Sequence, residues 1–315
     1  MQTQKLFFFF IDGIGIGDQD CSRNPLLQLF HPFIQPRTFS RESIPLRNEQ
    51  AVLLPLDAQL GISGLPQSAT GQTTIMTGIN AARVLGYHLL AFPNEKLLPL
   101  IKEKSILKSL KGGGVRVTSA NLYSHSFFHE RKKRRRNMLP VSTLSIEAAD
   151  IPFRYIDDYR HGQAVFADIT NEMLIERGFP IEAISPATAG KHILNIFDSH
   201  DMVFFEYFLT DTHGHSREID KIIHSVEVIN EFLHTIWEGS GNTVDILVMS
   251  DHGNAEDLKT GDHTGNKVPF LLVSKAVDNL VPDWTSIQSL TDIAPFVLDY
   301  FHLDPALTVT GSEKG

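Results

Sequence analysis

The chain has 315 residues, of which 42% are hydrophobic and 21% are charged, a composition ordinary for a globular protein with a sizeable core. Its 28 basic and 37 acidic residues give a net charge of −9, which argues against general nucleic-acid binding and favours the binding of cations. A single cysteine, Cys21, excludes an internal disulfide and predicts a reducing compartment.

The first predicted element is the apolar run LFFFFI, residues 6–11, which Asp12 ends. A lysine precedes it, as in a signal peptide, but the run is short and no small-residue cleavage site follows. We therefore predict a buried strand. No stretch approaches the ~18 uninterrupted apolar residues of a membrane span. These features predict a cytoplasmic enzyme without membrane or nucleic-acid partners.

A segment rich in small residues, Gly64 to Gly71, precedes the predicted helix TTIMTGINAARV. Ser68 would lie just before this helix, where the helix dipole and free N–H groups favour negative charge. A hydroxyl in this place that touches a metal ion loses its proton more readily and becomes a nucleophile. An ordinary capping serine explains the pattern equally well, and Thr70 and Thr73 are alternative nucleophiles.

The middle of the chain, from about Val84 to Pro180, has a less regular pattern and predicts a small inserted domain. Residues 1–84 and 181–315 would form the catalytic core, and residues 85–180 the inserted cap. The insertion contains the basic run Arg131 to Arg136, which is ordinarily a solvated surface. The alternative is a patch that attracts an anionic substrate. The candidate substrate contacts are Arg83, Arg131, Lys132 and Arg134.

Two further apolar runs end in aspartate: VFFEYFLTD at Asp211 and TVDILVMSD at Asp251. Near-continuous apolar runs of this length predict strands that are buried on both faces, as in a parallel sheet. Apolar residues at helical spacing over residues 217–237 lie between them and predict a strand–helix–strand unit. TAGKHILNIF and SLTDIAPFVLDYF predict two more helices. We expect an α/β fold with an open, mostly parallel sheet and helices on both faces.

The aspartates that end the three runs are candidate metal ligands. Sites in open α/β sheets form outside the carboxyl ends of the strands, where Asp12, Asp211 and Asp251 would meet. In DTHGH, Asp211 and His215 are spaced i, i+4 and would share one face of a helical turn. His213 would point elsewhere.

The segment SDHGNAEDLKTGDHTGNKVP adds two imidazoles, His252 and His263. Carboxylate and imidazole ligands without a cysteine cluster suit Zn, Mn or a similar ion. The six candidates are too many for one catalytic ion that keeps an open position. They predict two ions, typically ~4 Å apart.

Several of these motifs resemble those of the alkaline phosphatase superfamily of metalloenzymes. They are FIDGIGIG, SATGQTTIMTG, DTHGH, and SDHGNAE followed by DHTGNKVP. The nearest branch is that of cofactor-independent phosphoglycerate mutase and phosphopentomutase. The resemblance implies an α/β/α sandwich with an inserted cap, and a nucleophile that takes up a phosphoryl group. It also implies that Asp12, Ser68, Asp251 and His252 hold one ion, and that Asp211, His215 and His263 hold the other.

The predicted function is phosphoryl transfer on a small phosphorylated metabolite, with two divalent ions (Mn or Zn) and a phosphoserine at Ser68. The predicted cap is shorter than that of the mutases, and Gln72 stands where they usually carry histidine. A smaller cap admits water, so hydrolysis of a phosphoester is favoured. The alternatives are a phosphomutase acting on a sugar or glycerate phosphate, and a catalytically silent metal-binding module. The sequence leaves the oligomeric state open.

Overall fold

A computed structural model describes residues 4–128 and 139–304 of the chain. Its strands are Leu6–Ile11 (β1), Leu46–Arg47 (β2), Ala51–Leu56 (β3), Val117–Ser119 (β4), Met202–Tyr207 (β5), Asp245–Met249 (β6) and Val268–Val273 (β7). Its α-helices are Ser68–Thr77 (α1), Ala81–Leu85 (α2), Leu98–Lys104 (α3), Ile106–Gly112 (α4), Val141–Ala148 (α5), Ile156–Arg160 (α6), Glu172–Glu176 (α7), Pro186–Ile196 (α8), Leu209–Ser216 (α9), Ile219–Gly239 (α10), Val277–Leu280 (α11) and Ile293–Tyr300 (α12). Short 3-10 helices cover Pro25–Gln28, Trp284–Ser286 and Leu290–Asp292.

All seven strands form one sheet in the order β2-β3-β7-β6-β1-β5-β4. The central strand β1 is parallel to both β5 and β6, so the three predicted strands are neighbours. The strands β7, β3 and β2 pair antiparallel, so the sheet is mixed, with β4, β5, β1, β6 and β3 running in one direction and β7 and β2 in the other. The reason is that residues 250–267, which connect β6 to β7, contain no crossover helix.

Helices cover both faces of the sheet, and alternate residues of β1 supply the two cores. Phe7, Phe9 and Ile11 pack on one face with helices α8 and α10. Leu6, Phe8 and Phe10 pack on the other face with helices that include α1, α5 and α12. A strand buried on both faces explains the unbroken apolar run. The α/β class with a three-layer α/β/α arrangement is confirmed.

Helix α1 begins earlier and ends sooner than the sequence predicted. Ser68 is its first residue rather than the residue before it. The predicted helix TTIMTGINAARV is interrupted at Gly78, which has φ 72° and ends α1. Asn80 then caps α2 by accepting a hydrogen bond from the Arg83 backbone N–H at 2.8 Å. The helices predicted for residues 217–237, TAGKHILNIF and SLTDIAPFVLDYF correspond to α10, α8 and α12.

Part of the predicted insertion, residues 85–180, belongs to the sheet layer. Strand β4 pairs parallel with β5, and Ile101 of α3 and Leu107 of α4 lie in the core shared with β1. A separate small apolar cluster includes Leu122 and Leu174. The division into core and cap stays a prediction, and its boundaries must leave β4 in the core. None of the helices in the described ranges is long and apolar enough to cross a membrane.

Candidate metal centre

Three aspartates meet at the edge where β1, β5 and β6 end, as predicted. Asp12 directly follows β1, Asp211 lies in α9 after β5, and Asp251 follows β6. The chain turns at Gly13 with φ +73°, and a Cβ there would lie 2.7 Å from the Asp211 Cβ. Glycine is therefore required for the Asp12 loop to approach α9 so closely.

One group of ligands, which we call the buried cluster, consists of Asp12, Asp251 and His252 with Ser68. The His252 Nε2 lies 3.2 Å from Asp12 Oδ1, 3.6 Å from Asp251 Oδ2 and 3.0 Å from Ser68 Oγ. Asp251 and His252 are fully buried. The Asp251 Oδ1 has no hydrogen-bond donor among the described residues. A buried carboxylate oxygen without a donor is costly unless it meets a cation, so this donor set fits a metal ion.

The charges of the buried cluster are strongly coupled. Burial and the neighbouring Asp251 carboxylate raise the pKa of Asp12 well above its ordinary value. Burial acts to lower the pKa of His252, but the carboxylates of Asp251 and Asp12 outweigh it and raise that pKa to about 10. A protonated His252 therefore balances part of the negative charge when no cation is present. Metal binding would release that proton.

A second group, the exposed cluster, consists of Asp211, His215 and His263. The Asp211 carboxylate lies 3.4 Å from His215 Nε2 and 3.6 Å from His263 Nε2, and the two Nε2 atoms are 3.2 Å apart. Asp211 and His215 share one face of α9, as their spacing predicted. The side chain of His215 is 45% exposed. The two clusters adjoin, because the rings of His252 and His263 stack with centroids 3.6 Å apart.

Backbone carbonyls orient both imidazoles of the exposed cluster. The Nδ1 of His215 lies 2.6 Å from the Gly261 carbonyl oxygen, and the Nδ1 of His263 lies 2.9 Å from that of Pro66. An Nδ1 that donates its proton leaves the Nε2 lone pair available for a metal. Burial and the charge of His252 lower the pKa of His263, which favours this neutral form.

His213, also on α9, lies apart from these ligands, in agreement with the sequence prediction. Its Nδ1 is 3.3 Å from the Ser225 Oγ of α10. Burial lowers the pKa of His213, so the ring is neutral against that helix. Its surroundings are those of a packing residue.

Ser68 differs from the two alternative nucleophiles. Thr70 and Thr73 are fully buried, and their hydroxyls donate to the backbone carbonyls of Gln67 at 3.0 Å and Ala69 at 2.6 Å. The Ser68 hydroxyl instead faces His252 from the first position of α1. A Cβ on Gly71 would lie 2.7 Å from the Asp251 carbonyl oxygen, so this glycine lets α1 approach the buried cluster.

Sequence reasoning did not assign a role to the residues that hold the ligands in place. The Gln72 Nε2 lies 3.0 Å from Asp251 Oδ2 and 3.4 Å from Asp12 Oδ2. The Asn254 Nδ2 donates to Asp211 Oδ1 at 2.8 Å. Buried Glu256 accepts from the N–H groups of Gly15 and Asn254 and thereby joins two loops of the site. Their signal was their presence inside the quoted motifs.

A cavity of about 800 Å³ reaches the site, and Asp12, Ser68 and Asp211 contribute to its lining. Glu206, also given no role by sequence reasoning, lines the same cavity and accepts a hydrogen bond from the Ser142 hydroxyl. Burial, opposed by that hydrogen bond and assisted by the charge of Asp251, raises the pKa of Glu206 to about 7. The available signal was a lone charge within the apolar run VFFEYF.

The substrate contacts predicted from the sequence are not brought to this cavity by the described structure. Arg83 is exposed on α2 and is not among the described lining residues. Arg131, Lys132 and Arg134, with the rest of the basic run, lie outside the described residues.

The sequence matches both a protein-family model and individual proteins. A model of the Metalloenzyme superfamily matches residues 183–305. The 2,3-bisphosphoglycerate-independent phosphoglycerate mutase of Moorella thermoacetica is 30% identical over 126 residues, which cover 38% of this chain and 24% of that protein. The enzyme of the same name from Acaryochloris marina is 33% identical, with 36% and 23% covered. The chain thus spans about a quarter of the length of these relatives.

Solved structures resemble the whole described fold. A cold-active alkaline phosphatase from a Shewanella species has a TM-score of 0.56 at 10% identity, covering 95% of this chain and 100% of that one. The PH0037 protein of Pyrococcus horikoshii has a TM-score of 0.54 at 13% identity, covering 100% and 99%. At these identities the likeness establishes an alkaline phosphatase-like fold. The metalloenzyme match implies divalent metal ions, which the carboxylate and imidazole donors fit.

Proposed function

Because the chain belongs to the alkaline phosphatase superfamily of metalloenzymes, near its phosphoglycerate mutase branch, we propose that it transfers a phosphoryl group from a small phosphorylated metabolite to Ser68. The observation that carries the proposal is the Ser68 Oγ placed 3.0 Å from His252 Nε2 at the start of α1. Hydrolysis of the phosphoserine by water would complete the reaction.

Two divalent cations, Mn or Zn, would occupy the two clusters. The buried cluster would hold one through Asp12, Asp251, His252 and Ser68, and the exposed cluster the other through Asp211, His215 and His263. Bound there, such ions lower the pKa of a coordinated hydroxyl and neutralise phosphate charge.

The chain's own residues position the reacting groups. The Ser68 Oγ loses its proton and forms a bond to phosphorus while the bond from phosphorus to the ester oxygen breaks, and in the overall balance the alcohol leaves with that proton. The first turn of α1 offers free N–H groups and the positive end of the helix dipole to the phosphoryl oxygens. Gln72 holds the carboxylates of Asp12 and Asp251 together beneath the nucleophile.

The contact of the exposed cluster with solvent favours hydrolysis over return of the phosphoryl group to the substrate. The His215 side chain is 45% exposed, so water reaches the exposed cluster. A phosphomutase is the second candidate, favoured by sequence identity to phosphoglycerate mutases. A silent metal-binding module is disfavoured, because both ligand sets and the serine lie together. The exposed thiol of Cys21 supports the proposed cytoplasmic location.

Trapping of the covalent intermediate tests the proposal. Protein loaded with Mn or Zn is exposed briefly to a panel of phosphate esters, quenched with acid and analysed by mass spectrometry. We expect a phosphate on Ser68 and release of inorganic phosphate. Ser68→Ala should lose both, whereas Ser63→Ala, in an exposed loop, should lose neither.

The reaction products distinguish the candidate functions. A phosphate on Thr70, or full turnover by Ser68→Ala, would contradict the assigned nucleophile. Isomerised substrate without free phosphate would support the phosphomutase. Absence of turnover across the panel, with both ions bound, would support the silent module.

A further inference from the structure

The cavity over the metal centre also indicates the chemistry of the part of the substrate beyond the phosphate. We propose that it selects phosphate esters whose alcohol part is apolar or aromatic, in preference to carboxylated or sugar-like alcohols. This inference rests on the proposed function, since it places the phosphate at Ser68.

Most of the cavity lining beyond the metal centre is apolar. At about 800 Å³ the cavity falls within the usual size of small-molecule sites, so it has room for an organic group beside a phosphate. The lining is dominated by aromatic and aliphatic side chains. They include Phe92, Leu122, Tyr123, Phe127, Phe166 and Phe179.

Part of this wall is an aromatic cluster that is already formed without a ligand. The Tyr123 ring lies 5.4 Å from that of Phe127 and 4.9 Å from that of Phe153, in edge-on arrangements. The Tyr123 hydroxyl lies 3.2 Å from the Thr143 Oγ1. A wall with fixed ring positions binds a flat apolar group with little loss of side-chain entropy.

The charges of the described lining residues disfavour a second anionic group on the substrate. Among the lining residues that the structure describes, Arg177 is the one cation, whereas Asp12, Asp211 and Glu206 are acidic. Arg177 is exposed at the end of α7, where it can meet a single polar group near solvent. Recognition of a carboxylate or a second phosphate ordinarily uses paired, well-placed cations.

Phosphonates, which cannot be hydrolysed, test this preference without any turnover. Binding of 2-phenylethylphosphonate, 2-hydroxyethylphosphonate and 2-carboxyethylphosphonate to the Mn-loaded protein is measured by calorimetry. We expect the phenyl compound to bind at least about tenfold more tightly than either of the others, because burial of one ring contributes that much. Equal affinities, or tighter binding of the carboxylate, would overturn the proposal.

Two exposed residues near α7 provide a matched pair of variants. Phe179 and Ile175 are each 42% exposed, but only Phe179 is among the described lining residues. Phe179→Ala should reduce the preference for the phenyl compound about threefold or more, since a ring contact is lost. Ile175→Ala should retain the full preference. A preference that is unchanged in both variants, or reduced equally, would contradict the assigned wall.

Turnover of the corresponding phosphate esters separates this inference from the proposed function. If the phenyl phosphonate binds preferentially but 2-phenylethyl phosphate is never cleaved, the apolar selectivity stands and phosphoryl transfer fails. If both 2-phenylethyl and 2-hydroxyethyl phosphate are cleaved with equal kcat/KM, phosphoryl transfer stands and the selectivity fails.

Discussion

The two ligand clusters of the metal centre differ most in their contact with solvent. Asp251 and His252 of the buried cluster are completely buried, and a glutamine bridges the two carboxylates. In the exposed cluster, the His215 side chain is 45% and the Asp211 side chain 19% exposed. A cation in the buried cluster would replace missing hydrogen bonds, whereas one in the exposed cluster would compete with water. The first should therefore be retained more firmly, and the second should be open to exchange.

Asp251→Asn should have the largest effect, because it removes a carboxylate charge that has no access to water. We expect loss of the ion from the buried cluster and a fall in phosphoester turnover of about 10³-fold. Metal analysis of the purified variant, with kinetics, measures both. Asp262→Asn changes an exposed carboxylate of the same loop and should keep metal and activity. A fully active, fully loaded Asp251→Asn protein would refute the assignment.

His215→Ala should have a smaller and more local effect. The variant should lose only the ion of the exposed cluster, with turnover reduced about 10²-fold. The matched control is His213→Ala, because His213 lies on the same helix but faces Ser225 of α10. Metal stoichiometry is the deciding measurement. Loss of both ions from His215→Ala would show that the clusters do not fill independently.

Gln72→Ala tests whether the buried cluster retains its cation because of the bridging amide of Gln72. Without that donor the carboxylates of Asp12 and Asp251 lose their shared hydrogen-bond partner, and metal affinity should fall about 10–100-fold. Competition with a chelator measures the affinity. Gln72→His replaces the amide donor with a ring N–H donor and should retain most of the affinity. If Gln72→Ala binds the metal with unchanged affinity, the amide of Gln72 serves packing alone.

Glu206→Gln should have the smallest effect on metal content, and should act instead on the stability of the fold. The folded state raises the pKa of Glu206 to about 7, so it binds that proton more tightly than the unfolded chain does. The resulting stability is present in acid and is lost as the pH rises through about 7.

In chelator, Glu206→Gln should match the wild type near pH 5 and exceed it at pH 8 by up to about 3 kcal/mol, since each pKa unit corresponds to about 1.4 kcal/mol. Urea unfolding at both pH values measures the difference. An identical pH dependence in the two proteins would contradict the raised pKa.

The sequence predicted the centre of the sheet better than its edge. The runs that became β1, β5 and β6 are apolar, apart from Glu206 in β5 and Asp245 at the start of β6, because both faces are buried, and this signal is local. The direction of β7 could not be predicted, because its VPFLLV run is equally compatible with parallel or antiparallel pairing. Strand β4, only three residues long, carried too little pattern to be separated from the predicted insertion.

At the metal centre, the sequence identified the candidate ligands but not the groups that orient them. The carboxylates and imidazoles stood out by residue type and by their place after strands. The bridging role of Gln72 depends on how closely α1 approaches the Asp251 loop, which no local pattern encodes. The roles assigned to the ligands and to Ser68 stay predictions, as does that of the basic run beyond the described residues.

The place of β1 in the sheet has a consequence for synthesis on the ribosome. Leu6 pairs with Met202 on one side and with Asp245 on the other, so β1 finds its partners only after the long segment between them has emerged. Until then, four consecutive phenylalanines remain without a sheet to join. A nascent segment of this kind is prone to aggregate and is a natural client for chaperones.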